Sequence, residues 1–215
     1  ILEMTYSGYV TGYSMSDLTS TFNRIGQSVP NIVNVNVDGA TPSNTSDSES
    51  ILDIFCAGAV IPKATIAYYT APNTNQGFLD CVLAVANDTT NNPSALSISW
   101  GNSEYGVAYL SSAFQACVAK GIACFSSAGD SGANNGTSGG VGSTQSLNMR
   151  GYPDISAPAD PYTGYALYYS SAWHGVGGTS AAAPLLAGLW VRLNQLLETR
   201  IGVPFASFYA NSNLF

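Results

Sequence analysis

Apolar residues follow two spacings along this chain, one typical of β-strands and one typical of α-helices. Short runs rich in β-branched residues predict strands, whereas apolar positions three or four residues apart predict helices. The predicted strands cover residues 1–4, 32–37, 65–69, 95–100 and 122–127. The predicted helices cover residues 14–24, 49–60, 77–86 and 108–120, and a long helix begins near residue 180.

The alternation of these strands and helices predicts the fold class. Strands separated by helices of ten or more residues indicate an α/β fold with a doubly wound, mostly parallel sheet flanked by helices. In such sheets, functional groups lie in the loops beyond the carboxyl ends of the strands. The loops after Trp100 and Ser127 are therefore expected to share one face. With 215 residues the chain is long enough to bury a substantial core, and we predict a single domain over residues 1–215.

Residues 133–151 break this pattern. Gly, Asn, Ser and Thr dominate the segment, which is typical of a surface loop. The alternative interpretation is that ordered sequence of a longer protein is missing at this point. Beyond it, an aromatic stretch at 165–173 precedes the long helix.

Composition argues against two classes of partner. Hydrophobic residues make up 46% of the chain and charged residues only 9%, which is typical of compact globular proteins. The formal net charge of −7 argues against nucleic acid and against anionic membranes. Because Lys and Arg are scarce, little positive charge builds up when carboxylates are protonated, so the composition is compatible with acid. No apolar run approaches the length needed to span a membrane.

Three Asn-x-Ser/Thr sequons lie in polar, turn-like surroundings, at Asn44, Asn87 and Asn135. Together with an even number of cysteines, they favour a glycosylated protein that is secreted or resides in an acidic, lysosome-like compartment. The alternative is a cytosolic protein with four buried free thiols, because cysteine also packs well as a small hydrophobic residue.

The four cysteines, Cys56, Cys81, Cys117 and Cys124, show no Cys-x-x-Cys spacing, so neither a zinc site nor a redox dithiol is indicated. Cys56 and Cys81 lie on successive predicted helices that would pack on one face of the sheet. Cys117 and Cys124 are separated by a single helix–strand turn. We predict these two pairs as disulfides, which requires Cα atoms within about 7 Å of each other.

A glycine-rich segment, residues 177–184, suggests nucleophilic chemistry. Two glycines free the backbone to turn sharply, and Ser180 lies where the apolar run of the last predicted helix begins. A hydroxyl at a helix N-terminus, near unpaired amide groups and the positive end of the dipole, suits a nucleophile that generates an oxyanion. Pro184 is expected near the first turn, where a missing N–H costs least. The alternative is a serine that only caps a long helix.

A serine nucleophile needs a general base, and the chain contains a single histidine, His174. We expect His174 to be an exposed strand residue, because a strand rarely folds back onto the start of the helix that follows it. No His-Gly element precedes the serine at a distance, as a subtilisin-like triad requires. The base is therefore expected to be a carboxylate.

Three carboxylates are candidates for this chemistry. Glu49 and Asp53 stand at positions i and i+4 of one predicted helix, so their side chains meet on one face. Two carboxylates at this spacing repel unless they share a proton, which raises the pKa of one of them. Asp130 lies in a glycine-bracketed loop that permits close approach. The alternatives are a polar helix start for the pair and an ordinary turn aspartate for Asp130.

Taken together, these residues resemble the sedolisin family of serine-carboxyl peptidases, and most closely its kumamolisin-like members. The resemblance rests on the pair Glu49 and Asp53 and on six segments in the order of the family, residues 71–74, 97–101, 127–132, 152–157, 160–165 and 177–184. It runs through nearly all of the chain. The combination is highly specific, although each piece alone is not.

The resemblance implies a subtilisin-like α/β fold and a Ser-Glu-Asp triad. Ser180 would be the nucleophile, Glu49 its general base, and Asp53 the residue that orients Glu49. Asp130 would donate a proton to the developing oxyanion, which requires a protonated carboxyl and therefore acidic pH. Burial beside Ser180, Glu49 and Asp53 is expected to keep the Asp130 carboxyl protonated.

The resemblance also implies a substrate cleft. Ser99, Trp100 and Gly101 would line it and pair with the peptide backbone, and Gly178 would also contact the substrate. Glu3 matches a glutamate that, in kumamolisin-like members, extends the carboxylate network through the cleft tryptophan. The family has a calcium site, but its ligands come from a loop that we expect to lie beyond residue 215, so no metal ligand is expected in this chain.

Family members carry further sequence between the Asp130 loop and residues 153–154. We therefore expect residues 1–215 to be an incomplete peptidase catalytic domain that lacks the propeptide, part of the 133–151 region and the C-terminal calcium loop. The function implied is an acid-acting serine-carboxyl endopeptidase, made as a zymogen and inhibited by its own propeptide, that hydrolyses proteins or peptides. The alternatives are a tripeptidyl-peptidase of the same family and a catalytically silent peptide-binding relative.

Overall fold

The computed structural model describes residues 1–5, 11–101, 109–131, 153–203 and 209–210. In chain order the elements are β1 (Leu2–Thr5), α1 (Met15–Asn23), β2 (Asn31–Asn36), α2 (Ser48–Val60), β3 (Thr65–Pro72), α3 (Asn75–Asn87), β4 (Ala95–Ile98), α4 (Leu110–Ala119), β5 (Ala123–Ser126), β6 (Tyr165–Tyr169), β7 (Ala172–Val176) and α5 (Thr179–Leu196). The predicted alternation of strands and helices is confirmed.

Five strands form one parallel sheet in the order β2-β3-β1-β4-β5. After β1, the chain adds β2 and β3 on one side and then β4 and β5 on the other. In doubly wound sheets, a crevice forms at the carboxyl ends of the strands where the order of addition reverses. Because β4 and β5 are parallel neighbours, the loops that follow them leave the same edge of the sheet, which confirms their expected common face.

Two hydrophobic cores cover the two faces of the sheet. One lies under α3 and α4 and includes Val82 and Cys117. The other lies under α1, α2 and the start of α5, and it includes Phe22, Leu52 and Ala181. The helices therefore flank the sheet on both faces, as the sequence pattern predicts.

On the second face, α2 and α5 pack at close range. A Cβ at Gly188 of α5 would lie 2.5 Å from Cγ2 of Val60 and 3.0 Å from the carbonyl oxygen of Ala57. A side chain at this position would push the helices apart, because packed interiors leave no room for it. This contact helps to hold α5 against α2, the two helices that carry Ser180 and Glu49.

The aromatic stretch forms an antiparallel hairpin of β6 and β7, separate from the main sheet. Its turn residues, Ser170 and Ser171, have φ values of 51° and 61°. Two-residue hairpin turns of this kind usually carry Asn or Gly, which adopt positive φ readily. The serine pair provides no such signal, so the sequence pattern did not predict this hairpin.

The cysteines are all free thiols, so both predicted disulfides are wrong. Cys56 belongs to the core under α2 and Cys81 to the core under α3, on opposite faces of the sheet. A bridge between them would have to cross the sheet. The Cys117 thiol donates to the carbonyl oxygen of Val82, and the Cys124 thiol donates to that of Ile122.

Two of the three sequon asparagines, Asn44 and Asn87, are exposed. The third, Asn135, lies outside the described residues, as do residues 133–151 as a whole. Among the described helices, none combines the length and the apolar character that crossing a membrane requires.

Candidate active site

Ser180 lies in the first turn of α5, which begins at Thr179 directly after a glycine pair. Gly178 has a φ of 109°, in the region that favours glycine, and this conformation sets the sharp turn from the strand into the helix. The Ser180 side chain is half-buried. Its position at the positive dipole end of α5 favours a developing negative charge.

Pro184 lies inside α5 rather than where its missing N–H costs least, so this expectation is wrong. In a regular helix the amide at position 184 would donate to the carbonyl oxygen of Ser180. Proline has no amide hydrogen, so that carbonyl is free to accept from elsewhere. The Ser99 hydroxyl donates to it, with an oxygen–oxygen distance of 3.3 Å.

Glu49 and Asp53 are both on α2, as the sequence pattern predicts. Asp53 is fully buried, whereas Glu49 is half-buried. The N-cap of this helix is Asp47, whose Oδ1 accepts from the amide of Ser50 at 2.8 Å. Its Oδ2 accepts from the amide of Gly12 at 2.6 Å, which ties the start of α2 to the segment that follows β1.

Ser99 connects these carboxyl groups with the start of α5. Its Oγ lies 2.9 Å from each carboxyl oxygen of Asp53. The hydroxyls of Ser180 and Ser99 also lie close enough to Glu49 to lower its pKa, while Glu49 Oε1 has no hydrogen-bond partner among the described residues. The structure therefore brings Ser180, Glu49, Asp53 and Ser99 into one cluster.

The carboxyl groups of this cluster have raised pKa values. Burial, together with the negative charges of Glu3 and Glu49, raises the pKa of Asp53 well above its ordinary value. Burial also raises the pKa of Glu49, and hydrogen bonds from Ser180 and Ser99 oppose that shift. A group of carboxyls with raised pKa values retains protons at pH values where exposed carboxylates are ionised.

Glu3 lies on β1 and is fully buried. Burial raises its pKa to about 8, against the opposing effect of a hydrogen bond from Trp100. In this bond, Nε1 of Trp100 donates to Oε2 of Glu3 at 2.7 Å. Trp100 and Gly101 follow β4, at the carboxyl edge of the sheet, and Gly101 is exposed.

Asp130 is in the loop after β5 and reaches the start of α5. Its Oδ1 accepts from the amide of Thr179 at 2.6 Å and from the Thr179 hydroxyl at 2.9 Å. The same hydroxyl accepts from the amide of Gly129 at 3.0 Å. A Cβ at Gly178 would lie 2.9 Å from Asp130 Oδ2, so only glycine leaves room for this carboxyl. Asp130 is exposed, and the expectation that it is buried is therefore wrong.

His174 is on β7, as predicted, but it is half-buried rather than exposed. Its ring stacks on Tyr169, with centroids 4.2 Å apart. Its Nε2 is buried and has no hydrogen-bond partner among the described residues. The histidine ring thus stacks on a residue of its own hairpin.

Sequence reasoning missed two residues that hold the site together, Thr179 and Asp47. Both carried a signal that could have been used. Thr179 directly precedes Ser180, at the point where a helix-initiating hydroxyl is common. Asp47 stands just before an apolar helical run, which is typical of an N-cap.

No group of three or more Asp, Glu, His or Cys side chains in the described ranges could hold a metal ion. The described residues therefore do not fit a calcium site, and the chemistry of Ser180 and the carboxyl groups is considered without a metal.

Comparisons with known proteins give relatives in sequence and in fold. No family model matches the chain. It is 32% identical over 278 residues to kumamolisin of Bacillus sp. (strain MN-32), which covers 95% of the chain and 49% of kumamolisin. A stretch of 58 residues is 43% identical to sedolisin of Pseudomonas sp. (strain 101), covering 27% of the chain and 10% of sedolisin. The chain thus spans about half the length of kumamolisin and a smaller part of sedolisin.

Among solved structures, Pseudomonas sedolisin, a serine-carboxyl proteinase complexed with two molecules of pseudo-iodotyrostatin, has a TM-score of 0.77 to this chain. The match has 18% sequence identity and covers 97% of this chain and 78% of the sedolisin chain. At this identity the comparison shows a shared fold.

Proposed function

Because this chain belongs to the sedolisin family and is kumamolisin-like, we propose that it is an acid-acting serine-carboxyl endopeptidase. The observation that carries this proposal is that Ser180, at the start of α5, lies close enough to Glu49 to lower the pKa of that carboxyl, which burial raises. A serine that lies in the first turn of a helix and contacts a carboxyl group has both a site for negative charge and a proton acceptor.

In this proposal Ser180 is the nucleophile and Glu49 the general base. Ser180 Oγ forms a bond to the carbonyl carbon of the peptide while its proton passes to the Glu49 carboxylate. Glu49 then gives the proton to the leaving amine as the carbon–nitrogen bond breaks, leaving an acyl-enzyme. Water attacks this ester and gives a proton to Glu49, which returns it to Ser180. Asp53 orients Glu49 from its fully buried position.

Asp130 is the oxyanion donor in this mechanism. Its Oδ1 already accepts two hydrogen bonds from Thr179, which leaves Oδ2, beside Gly178, as the oxygen that carries the proton. A carboxyl can donate only while it is protonated. This requirement ties the proposed activity to acidic pH.

The peptide lies along the carboxyl edge of the sheet in this proposal. The backbone groups of residues 99–101 pair with an extended substrate, and Gly178 allows the substrate backbone to approach. Trp100 contacts the substrate from a position held by its hydrogen bond to Glu3. The buried Glu3 carboxyl behind the cleft would then act both on the position of Trp100 and on the pKa values of the carboxyl cluster.

The remaining features are also proposals for the whole protein. We propose that it is secreted, glycosylated at the exposed Asn44 and Asn87, and made as a zymogen whose propeptide occupies the cleft. Its substrates would be proteins or peptides.

Two measurements test the proposed function. A serine-directed active-site reagent is expected to label Ser180 on folded protein at acidic pH, which a silent peptide-binding relative would not allow. Mapping the products of a long peptide is expected to show internal cleavage. Release of tripeptides from the amino terminus alone would instead identify a tripeptidyl-peptidase, and absence of both labelling and cleavage would contradict a peptidase function.

A further inference from the structure

The Ser99 side chain occupies a position that pairing with the substrate backbone does not explain. Residues 99–101 would pair with a peptide through their main-chain groups, yet the Ser99 hydroxyl points into the carboxyl cluster. Its Oγ lies 2.9 Å from both oxygens of Asp53 and 3.3 Å from the carbonyl oxygen of Ser180. The hydroxyl also lies close enough to Glu49 to lower the pKa of that carboxyl.

A hydroxyl has one hydrogen to donate and two lone pairs to accept with. The Ser99 hydroxyl therefore cannot donate to Asp53, Glu49 and the Ser180 carbonyl at once. It can accept from Asp53 when that carboxyl is protonated, and then donate to Glu49 or to the carbonyl. Burial raises the pKa of Asp53 well above its ordinary value, so the protonated form is favoured at acidic pH.

The carbonyl of Ser180 is available to Ser99 because of Pro184. Proline at this position lacks the amide hydrogen that would donate to that carbonyl in a regular helix. The contact at 3.3 Å thus links the strand that ends at Ser99 to the backbone of the nucleophile itself. One side chain contacts all three parts of the cluster.

We propose that the Ser99 hydroxyl is a positioning residue that couples Asp53 to Glu49 and fixes both relative to Ser180. This inference rests on the proposed function of the site. In the resting site, protonated Asp53 donates to Ser99, and Ser99 donates to the Glu49 carboxylate, which is thereby kept ionised and aimed at Ser180. When Glu49 takes up the proton of Ser180, the Ser99 hydroxyl turns to the Ser180 carbonyl. No bond other than hydrogen bonds changes at Ser99.

Other charged groups also act on this pair. They are Glu3 on β1, Asp47 at the start of α2 and Asp130 after β5. None of them changes when Ser99 is replaced, so a shift in pH dependence after replacement reports on the hydroxyl.

The test compares Ser99→Ala with Ser99→Thr and with a matched control, Ser97→Ala. Ser97 is on the same strand and is buried, and its hydroxyl has no hydrogen-bond partner among the described residues. The control therefore removes a buried hydroxyl that contacts no part of the cluster. Ser99→Ala leaves the main-chain groups of residue 99 in place.

For Ser99→Ala we expect kcat to fall on the order of 10-fold to 100-fold with KM nearly unchanged. In the proposed resting site the Ser99 hydroxyl stabilises the ionised form of Glu49 and lowers its pKa, so loss of the hydroxyl raises that pKa. The acidic limb of the kcat/KM profile, where Glu49 must ionise, is then expected to move to higher pH by on the order of one unit. Ser99→Thr is expected to return the limb close to its original position, and Ser97→Ala not to move it.

Two results would overturn the inference, provided that the wild-type enzyme cleaves peptides. One is a Ser99→Ala profile whose acidic limb lies at the same pH as in the wild type. The other is a Ser97→Ala profile whose acidic limb moves as far as that of Ser99→Ala. If Ser99→Ala fails to fold, the Ser99→Thr variant alone tests the inference. Because Ser99→Thr retains a hydroxyl, a shifted acidic limb in this variant would contradict the positioning role of that hydroxyl. A wild-type protein that neither cleaves peptides nor is labelled at Ser180 at acidic pH would instead refute the proposed function.

Discussion

Asp53 and Asp130 approach the start of α5 from two sides, and their surroundings are opposite. Asp53 is fully buried and contacts the helix through the Ser99 hydroxyl. Asp130 is exposed and contacts it through the amide and hydroxyl of Thr179. A single intermediate residue, Ser99 or Thr179, thus links each carboxyl to the start of α5. Only the Asp53 carboxyl is shielded from water.

This difference shows how one residue type can serve two tasks in one site. Burial and the charges of Glu3 and Glu49 favour the neutral form of Asp53 over a wide pH range. Asp130 is exposed and accepts two hydrogen bonds on a single oxygen. Under the proposed mechanism, the buried carboxyl holds a proton beside the base, and the exposed carboxyl donates to the oxyanion.

The largest expected effect comes from breaking the nucleophile–base unit that lies between the two aspartates. Ser180→Ala and Glu49→Gln are each expected to lower kcat by on the order of 10⁴-fold or more, because each removes one half of this unit. The measurement is peptide hydrolysis at acidic pH on protein shown to be folded.

His174→Ala is the control for this prediction, because the histidine ring stacks on Tyr169 in the hairpin. Most activity is expected to remain. A folded His174→Ala protein without activity would contradict the assignment of the base to a carboxylate.

A smaller effect is expected from exchanging each aspartate for asparagine, which tests the comparison directly. Asp130→Asn keeps an amide donor beside Gly178 but no longer titrates. We expect a loss of about 10²-fold or less and a flattened alkaline limb of the kcat/KM profile. Wild-type activity is expected to peak below pH 6.

Asp53→Asn is the matched exchange on the buried side, and it is expected to alter the acidic limb while leaving the alkaline limb in place. If both variants changed the same limb, the two aspartates would not have separate roles. A wild-type optimum at pH 7 or above, on folded protein, would contradict the proposed role of Asp130.

A further prediction concerns stability rather than activity, and it extends the comparison to Glu3, behind the buried side. The pKa of Glu3 is raised to about 8 in the folded protein, compared with about 4.3 in an unfolded chain. Between these values the folded state binds more protons than the unfolded state. The free energy of unfolding should therefore fall as pH rises through this window, by up to about 1.4 kcal/mol per pH unit for this group.

Glu3→Gln keeps an oxygen that can accept from Trp100 and removes the titration. Urea unfolding at pH 5 and pH 8 should show a smaller loss of stability between these pH values than in the wild type. An unchanged difference would mean that Glu3 is not neutral in the folded protein at pH 5.

Local sequence patterns predicted the strands and helices of the main sheet and placed Glu49 and Asp53 on one helix. The spacing of apolar residues predicted the strands and helices of the main sheet, because the periodicity of each element is set by its own backbone geometry. The spacing of Glu49 and Asp53 predicted a shared helix face for the same reason, and both are on α2. The β6–β7 hairpin was missed because its Ser170–Ser171 turn lacks the residues that normally indicate positive φ.

Contacts between elements that are distant along the chain could only be decided by the tertiary structure. Ser99 contacts Asp53 across 46 positions and Ser180 across 81. The sheet places Cys56 and Cys81 on opposite faces, which excludes the predicted disulfide between them. Asp130 was expected to be buried, yet the loop after β5 leaves it exposed. Residue spacing specifies which side chains share an element, whereas burial and hydrogen-bond partners depend on how the elements pack, and that packing sets the charge state of each carboxyl.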